Sequence, residues 1–206
     1  MKKTSISVLA LSVILLTACN NENGKENDRH DMHNDTMQHT TAKDSETVKA
    51  IAVKFNNVDA QAATSLKAVA DHYLHIKNAL ANDNSKEAAS GAKAMADVIG
   101  KLDKSLLTAE QKAAYDQGEE KLKEHAAAIA ANADKIKDQR THFVMLSETM
   151  YDFVKSFGAG RPLYHDHCPM AKDNQGAMWL SETDEIKNPY FGAEMLTCGS
   201  IEEVIK

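Results

Sequence analysis

Residues 65–80 read Ser-Leu-Lys-Ala-Val-Ala-Asp-His-Tyr-Leu-His-Ile-Lys-Asn-Ala-Leu, and this stretch decides the fold. Leu66, Val69, Tyr73, Ile76 and Leu80 recur at alternating steps of three and four, which places them on one face of an α-helix. The same reading extends downstream. Asn82-Asp83-Asn84-Ser85 is a turn, with Ser85 as the cap of a second helix carrying Ala88, Ala92, Met95, Ile99 and Leu102. Thr108-Ala109-Glu110-Gln111 fits a capping box and opens a third helix, whose stripe is Tyr115, Leu122, Ile129 and Ile136. A fourth begins near Asp138, turns Phe143, Leu146, Met150, Phe153 and Phe157 inward, and stops at Gly158 and Gly160. No proline occurs between residues 60 and 157. Upstream, the run Val48 to Phe55 reads as a turn before the first helix or an extension of it. The expected fold class is mainly α. An antiparallel four-helix bundle is followed by a Cys/Met/Pro-rich irregular C-terminal segment with at most short strands.

That segment begins where the composition changes. Pro162, Pro169 and Pro189 are the three prolines of the chain, and Trp179 is its one tryptophan. Tyr164-His165-Asp166-His167-Cys168-Pro169-Met170 and Met195-Leu196-Thr197-Cys198-Gly199 concentrate imidazole, thiol and thioether. Such donors suit Cu(I), Zn(II) or another late transition metal and not Mg or Ca. Cys168 and Cys198 are the expected thiolate ligands, joined by Met170, Met195, Met178, His167 and His165. The spacing is not that of a zinc finger. The same two cysteines could instead form a disulfide that staples an irregular segment, and the residues alone leave both readings open. Tyr164, Trp179 and Phe191 are expected to pack on the end of the helices.

The N-terminus bears on the compartment. Met-Lys-Lys, the apolar run Ile6 to Leu16, and small residues before Cys19 have the form of a secretory signal peptide. Leu16-Thr17-Ala18-Cys19 resembles the lipobox of bacterial lipoproteins, which implies lipidation of Cys19 and a bacterial cell envelope location. Residues 20–45 are polar and should form a disordered linker. They nonetheless hold His30, Met32, His33, Met37 and His39, a flexible auxiliary collector for copper-like ions. Of nine histidines, these three together with His165 and His167 fall in the leash or the C-terminal segment. The expected organisation is therefore signal peptide 1–18, lipidated linker 19–45, helical bundle 46–160 and metal segment 161–206.

Other classes of function are excluded or disfavoured. The net charge of −6 carries no clustered Lys/Arg stripe, so no nucleic acid is expected as partner. A di-iron bundle needs Glu-x-x-His pairs, and there are none. His72 with His75, and His142 with Met145, have chelating spacing but read as surface positions. Met95 and Met150 read as core. A thiol enzyme would need a base and an orienter beside the cysteine, and no such arrangement is visible.

Short motifs in order then carry a resemblance. Gln139-Arg140, Phe143 and Leu146-Ser147 are followed by Lys155-Ser156-Phe157-Gly158 and His167-Cys168-Pro169-Met170-Ala171. Next come Gly176-Ala177-Met178-Trp179-Leu180-Ser181, Ile186-Lys187-Asn188-Pro189-Tyr190-Phe191-Gly192 and Met195-Leu196-Thr197-Cys198-Gly199. From about residue 60 to the end the chain resembles domain of unknown function family 3347. Its members occur as bacterial envelope lipoproteins and as a C-terminal module of CusB-type heavy-metal efflux adaptors. The resemblance implies copper or silver handling, with a membrane reached through the lipid anchor and an efflux adaptor or other envelope protein as partner. It implies no catalytic activity. Cu(I) is the leading ion, with zinc or silver the others compatible with these donors.

Overall fold

The computed structural model describes residues 48–206. The expected signal peptide, Cys19 and the expected leash donors His30, Met32, His33, Met37 and His39 lie outside the described residues.

The described chain is mostly helical, with a small four-stranded sheet. Four long helices follow one another: α1 (Ala60–Ala81), α2 (Ser85–Ile99), α3 (Ala109–Ala131) and α4 (Ile136–Phe157). Their starts follow from local chemistry. The Asp59 carboxylate accepts from the N–H groups of Gln61 and Ala62 at the head of α1. At α2 the cap is Asn84 and not Ser85, its side chain accepting from the Glu87 N–H. At α3 the Thr108 hydroxyl and the Gln111 side chain cap each other's backbone N–H reciprocally, as the sequence predicts. Gly158 ends α4 at a positive φ of 74°.

The stripes bury as expected: Leu66, Val69, Tyr73, Ile76 and Leu80 in α1, and Phe143, Leu146, Met150 and Phe153 in α4. Ile136 departs from its expected place. It opens α4, because α3 has already ended at Ala131. Adjacent helices pack pairwise, and α4 returns to meet α1, where Tyr73 stacks on Phe143 at 5.2 Å. No helix among the described residues is long and apolar enough to cross a membrane.

Two expectations need correction. The run at Val48 to Phe55 is neither helix nor turn, but begins with strand β1 (Lys49–Ile51). Ile51, Val53 and Phe55 are half-buried while Ala50, Ala52 and Lys54 are exposed, which is the period-two pattern of extended chain. Beyond the strand, the N–H groups of Lys54 and Phe55 donate to the carbonyls of Lys155 and Ser156, satisfying orphan acceptors in the last turn of α4.

The C-terminal segment is also more regular than expected. It contributes β2 (Leu163–Cys168), β3 (Ala177–Ser181) and β4 (Ser200–Ile205). The strand order is β1-β4-β2-β3, parallel between β1 and β4 and antiparallel elsewhere. An aromatic chain fixes the sheet to the helices: Trp179 meets Tyr190 at 5.9 Å, and Tyr190 meets Phe143 at 5.8 Å. The Tyr73 hydroxyl accepts from the Leu180 N–H at 3.0 Å and lies 2.8 Å from the Ser147 hydroxyl. Leu163, Cys168, Trp179, Leu180 and Ile205 thereby join the core built by the helices.

Candidate metal centre

Strand β2 carries His165, His167 and Cys168, and its pleat separates them. Successive side chains of a strand point to opposite faces, so His165 and His167 share one face while Asp166 and Cys168 share the other. Register agrees: His167 pairs with Met178, and Cys168 pairs with Ala177. His165, His167 and Met178 are therefore turned away from the Cys168 face.

The imidazoles have a different neighbour. The pairing of β2 with β4 slips between His165 and Asp166, leaving Glu202 as an extra residue in β4. Such a bulge re-aims a side chain. The Glu202 carboxylate lies 3.5 Å from His165 Nδ1 and 3.4 Å from His167 Nδ1. The His165 ring also stacks on Tyr151 at 4.5 Å. Burial lowers the His165 pKa, against the smaller upward pull of Glu202 and Glu203. Gly176, at φ 84°, faces the His167 ring so closely that any side chain there would strike it.

The thiols come together. Cys168 Sγ and Cys198 Sγ are 2.7 Å apart, from positions 30 residues apart in sequence, and both cysteines are free. Cys168 is fully buried and Cys198 half-buried. Asn188, itself fully buried, holds the Cys198 loop. Its side-chain N–H donates to the Cys198 carbonyl at 2.7 Å, its side-chain oxygen accepts from the Tyr190 N–H at 2.8 Å, and its own N–H donates to the Leu196 carbonyl at 2.8 Å. The Cys168 contact, more than burial, raises the Cys198 thiol pKa.

Beside the two cysteines in sequence, Met170 and Met195 line a groove of about 870 Å³, together with Met145, Arg140 and Asp83. Arg140 shapes its floor. The guanidinium donates to the carbonyls of Pro189 at 2.8 Å and Leu80 at 2.9 Å, and to Asp83 at 2.6 Å. Asp83 in turn accepts from the Ala193 N–H at 2.9 Å. Gly192, at φ 57°, lies where a side chain would displace this pair.

Between α1 and the sheet lies a buried group of charges that the sequence reading missed. Asp166 is wholly buried, and neither of its oxygens nor the Trp179 indole nitrogen completes a hydrogen bond. Burial pushes its pKa up to about 7, while Lys77 and the indole N–H pull the other way. Lys77, 1% exposed, reaches Glu182 at 3.3 Å and Ser181 at 3.4 Å. Its own pKa is lowered by burial.

Among the described residues, no group of three or more His, Cys, Asp or Glu could hold a metal ion. Two sulfurs bound to one ion at ~2.3 Å would stand ~3.8 Å apart at tetrahedral angles, so the thiols must open by about 1 Å to share one. Elsewhere, His75 is engaged with Glu87 at 2.6 Å, and Met95 and Met150 are fully buried in the core. Asn188, Arg140 and Glu202 carry the local architecture. The first two fall within the motifs of the family resemblance. Glu202 could have been found only by knowing the register.

Residues 69–161 match the model of a family described as a protein of unknown function, DUF3347. The match covers most of α1 and all of α2, α3 and α4, and ends before β2, so Cys168 and Cys198 lie beyond it. No curated protein and no solved structure matches the chain.

Proposed function

With residues 69–161 matching the DUF3347 family model, we propose that the protein binds a soft transition-metal ion, foremost Cu(I), for buffering, delivery or efflux in the bacterial envelope. The four helices are read as an antiparallel bundle serving as a rigid platform, with Cys19 as the lipid anchor and an efflux adaptor or other envelope protein as the receiver. Zinc and silver are the other cargoes compatible with these donors.

One observation carries this reading. Two free thiols stand side by side, and a groove edged by thioethers begins two residues from one and three from the other. Thiolate and thioether are the donors that select Cu(I). Thioethers do not form disulfides, so Met170 and Met195 keep their donor character in an oxidising compartment. The raised Cys198 pKa makes it a poor nucleophile at neutral pH, whereas an ion displaces the thiol proton on binding. His167 lies on the opposite strand face from Cys168, so it does not serve as base, and the reading is non-catalytic. His165, His167 and Met178 are accordingly assigned no part in the thiol site.

A second reading has its own observation. At 2.7 Å the sulfurs are nearer to a disulfide than to a shared ion. Oxidised, the pair would close a loop contributing on the order of 3–4 kcal/mol.

Cu(I) titration under reducing conditions, in competition with a chromophoric chelator, decides between them. The metal reading predicts one tight site that Cys168→Ser abolishes. It also predicts that Met170→Leu with Met195→Leu weakens Cu(I) while leaving Zn(II) nearly untouched. Undiminished Cu(I) binding by Cys168→Ser would leave the disulfide as the role of the pair.

A further inference from the structure

His125 on α3 and His142 on α4 face each other across the helix pair, with ring centroids 5.7 Å apart and planes inclined by 37°. Both rings are half-buried. His125 Nδ1 is sealed from solvent and has no hydrogen-bond partner, an arrangement that costs free energy unless something else satisfies the nitrogen.

The spacing has a simple interpretation. An imidazole bound at ~2.05 Å places its ring centre ~3.2 Å from the ion, so two rings on one ion have centres ~4.5–6.4 Å apart. The observed separation falls inside that range without any movement of the helices. We propose that His125 and His142 form a second metal site, for a divalent cation that favours imidazole, Cu(II) or Zn(II).

The surroundings agree with this assignment. Burial, as the largest influence, lowers the His125 pKa, which favours the neutral form of the ring that binds metal. The carboxylate charges of Glu124 and Glu148 reach the same ring, opposed by that of Lys121. Met145 follows His142 by one helical turn, on the same side of α4. Imidazole suits the harder, divalent state of copper, whereas thiolate and thioether suit the monovalent state. The site shares no donor with Cys168 and Cys198 and stands or falls independently of them.

Thermal unfolding of the full chain with and without Zn(II), under reducing conditions, tests the assignment. An ion that binds only the folded state raises Tm, whereas donors equally available in the unfolded chain leave it unchanged. The expected result is a saturable rise in Tm that persists in the Cys168→Ser/Cys198→Ser double variant and, in that cysteine-free background, is lost when either His125→Gln or His142→Gln is added. An undiminished rise when either histidine is replaced in the cysteine-free background, or loss of the rise in the cysteine double variant itself, overturns the proposal. A second measurement needs no substitution. Carbethoxylation of histidines in the unaltered chain, read by peptide mass spectrometry, should show Zn(II) protecting His125 and His142 together while leaving His72 as reactive as before. Equal modification of His125 and His142 with and without Zn(II) also overturns it.

Discussion

Cys198 owes its position to a side chain with no metal chemistry. Asn188 spends its amide on the Cys198 carbonyl and its oxygen on the Tyr190 and Phe191 N–H groups, all within a loop that has little regular structure. Removing that amide leaves buried backbone groups without partners. Asn188→Ala should therefore cost about 2–3 kcal/mol, read as a lower urea midpoint. It should also weaken Cu(I) binding by letting Cys198 drift from Cys168. An unchanged midpoint would show that the loop is held by other means. The donor residues themselves were legible in the sequence, since thiols and thioethers announce their chemistry by type. Their grouping was not. Which of them meet depends on strand parity, and a one-residue change of face separates His167 from Cys168 although they are neighbours in the chain.

Among elements, the helices were legible because their apolar stripes repeat over many turns and their caps are local. The strands were not. Strand β1 is three residues long and pairs with β4, some 150 residues away, so no local pattern reveals it. The Glu202 bulge likewise exists only once β2 and β4 are in register.

The contact between sheet and α1 also makes a prediction about pH in the metal-free chain. Unfolded, Asp166 ionises near its ordinary value of 3.8, whereas folded it holds its proton up to about pH 7. Between those values the folded state binds the extra proton, so this group makes stability fall as pH rises, and its effect is complete above about pH 7. Asp166→Asn keeps the shape and removes the buried charge, while Lys77 retains Glu182. The variant should lack that slope and be more stable than the parent at pH 8 by on the order of 1–3 kcal/mol. Parallel stability profiles across pH 4–8 would show that Asp166 keeps an ordinary pKa.

At the scale of the whole molecule, the proposal divides the labour among a tether, a helical platform and a donor-bearing sheet with its loops. The sheet is not an appendage, because Trp179, Leu180 and Cys168 are core residues together with Tyr73 and Phe143. The leash, which lies outside the described residues, contributes donors to the proposal. Deleting residues 29–39 should leave the unfolding midpoint unchanged and slow copper loading more than it weakens the final affinity. Equal loading rates at low copper would reduce the leash to a spacer.

The central claim is that both thiols and the neighbouring thioethers hold the ion. X-ray absorption at the copper edge, on the reduced full chain carrying one equivalent of Cu(I), addresses it most directly. The account predicts a first shell of sulfur scatterers only, which loses sulfur in Met170→Leu/Met195→Leu, whereas Cys168→Ser no longer retains the ion in a sulfur shell. A first shell dominated by nitrogen or oxygen, unchanged by those substitutions, would contradict it.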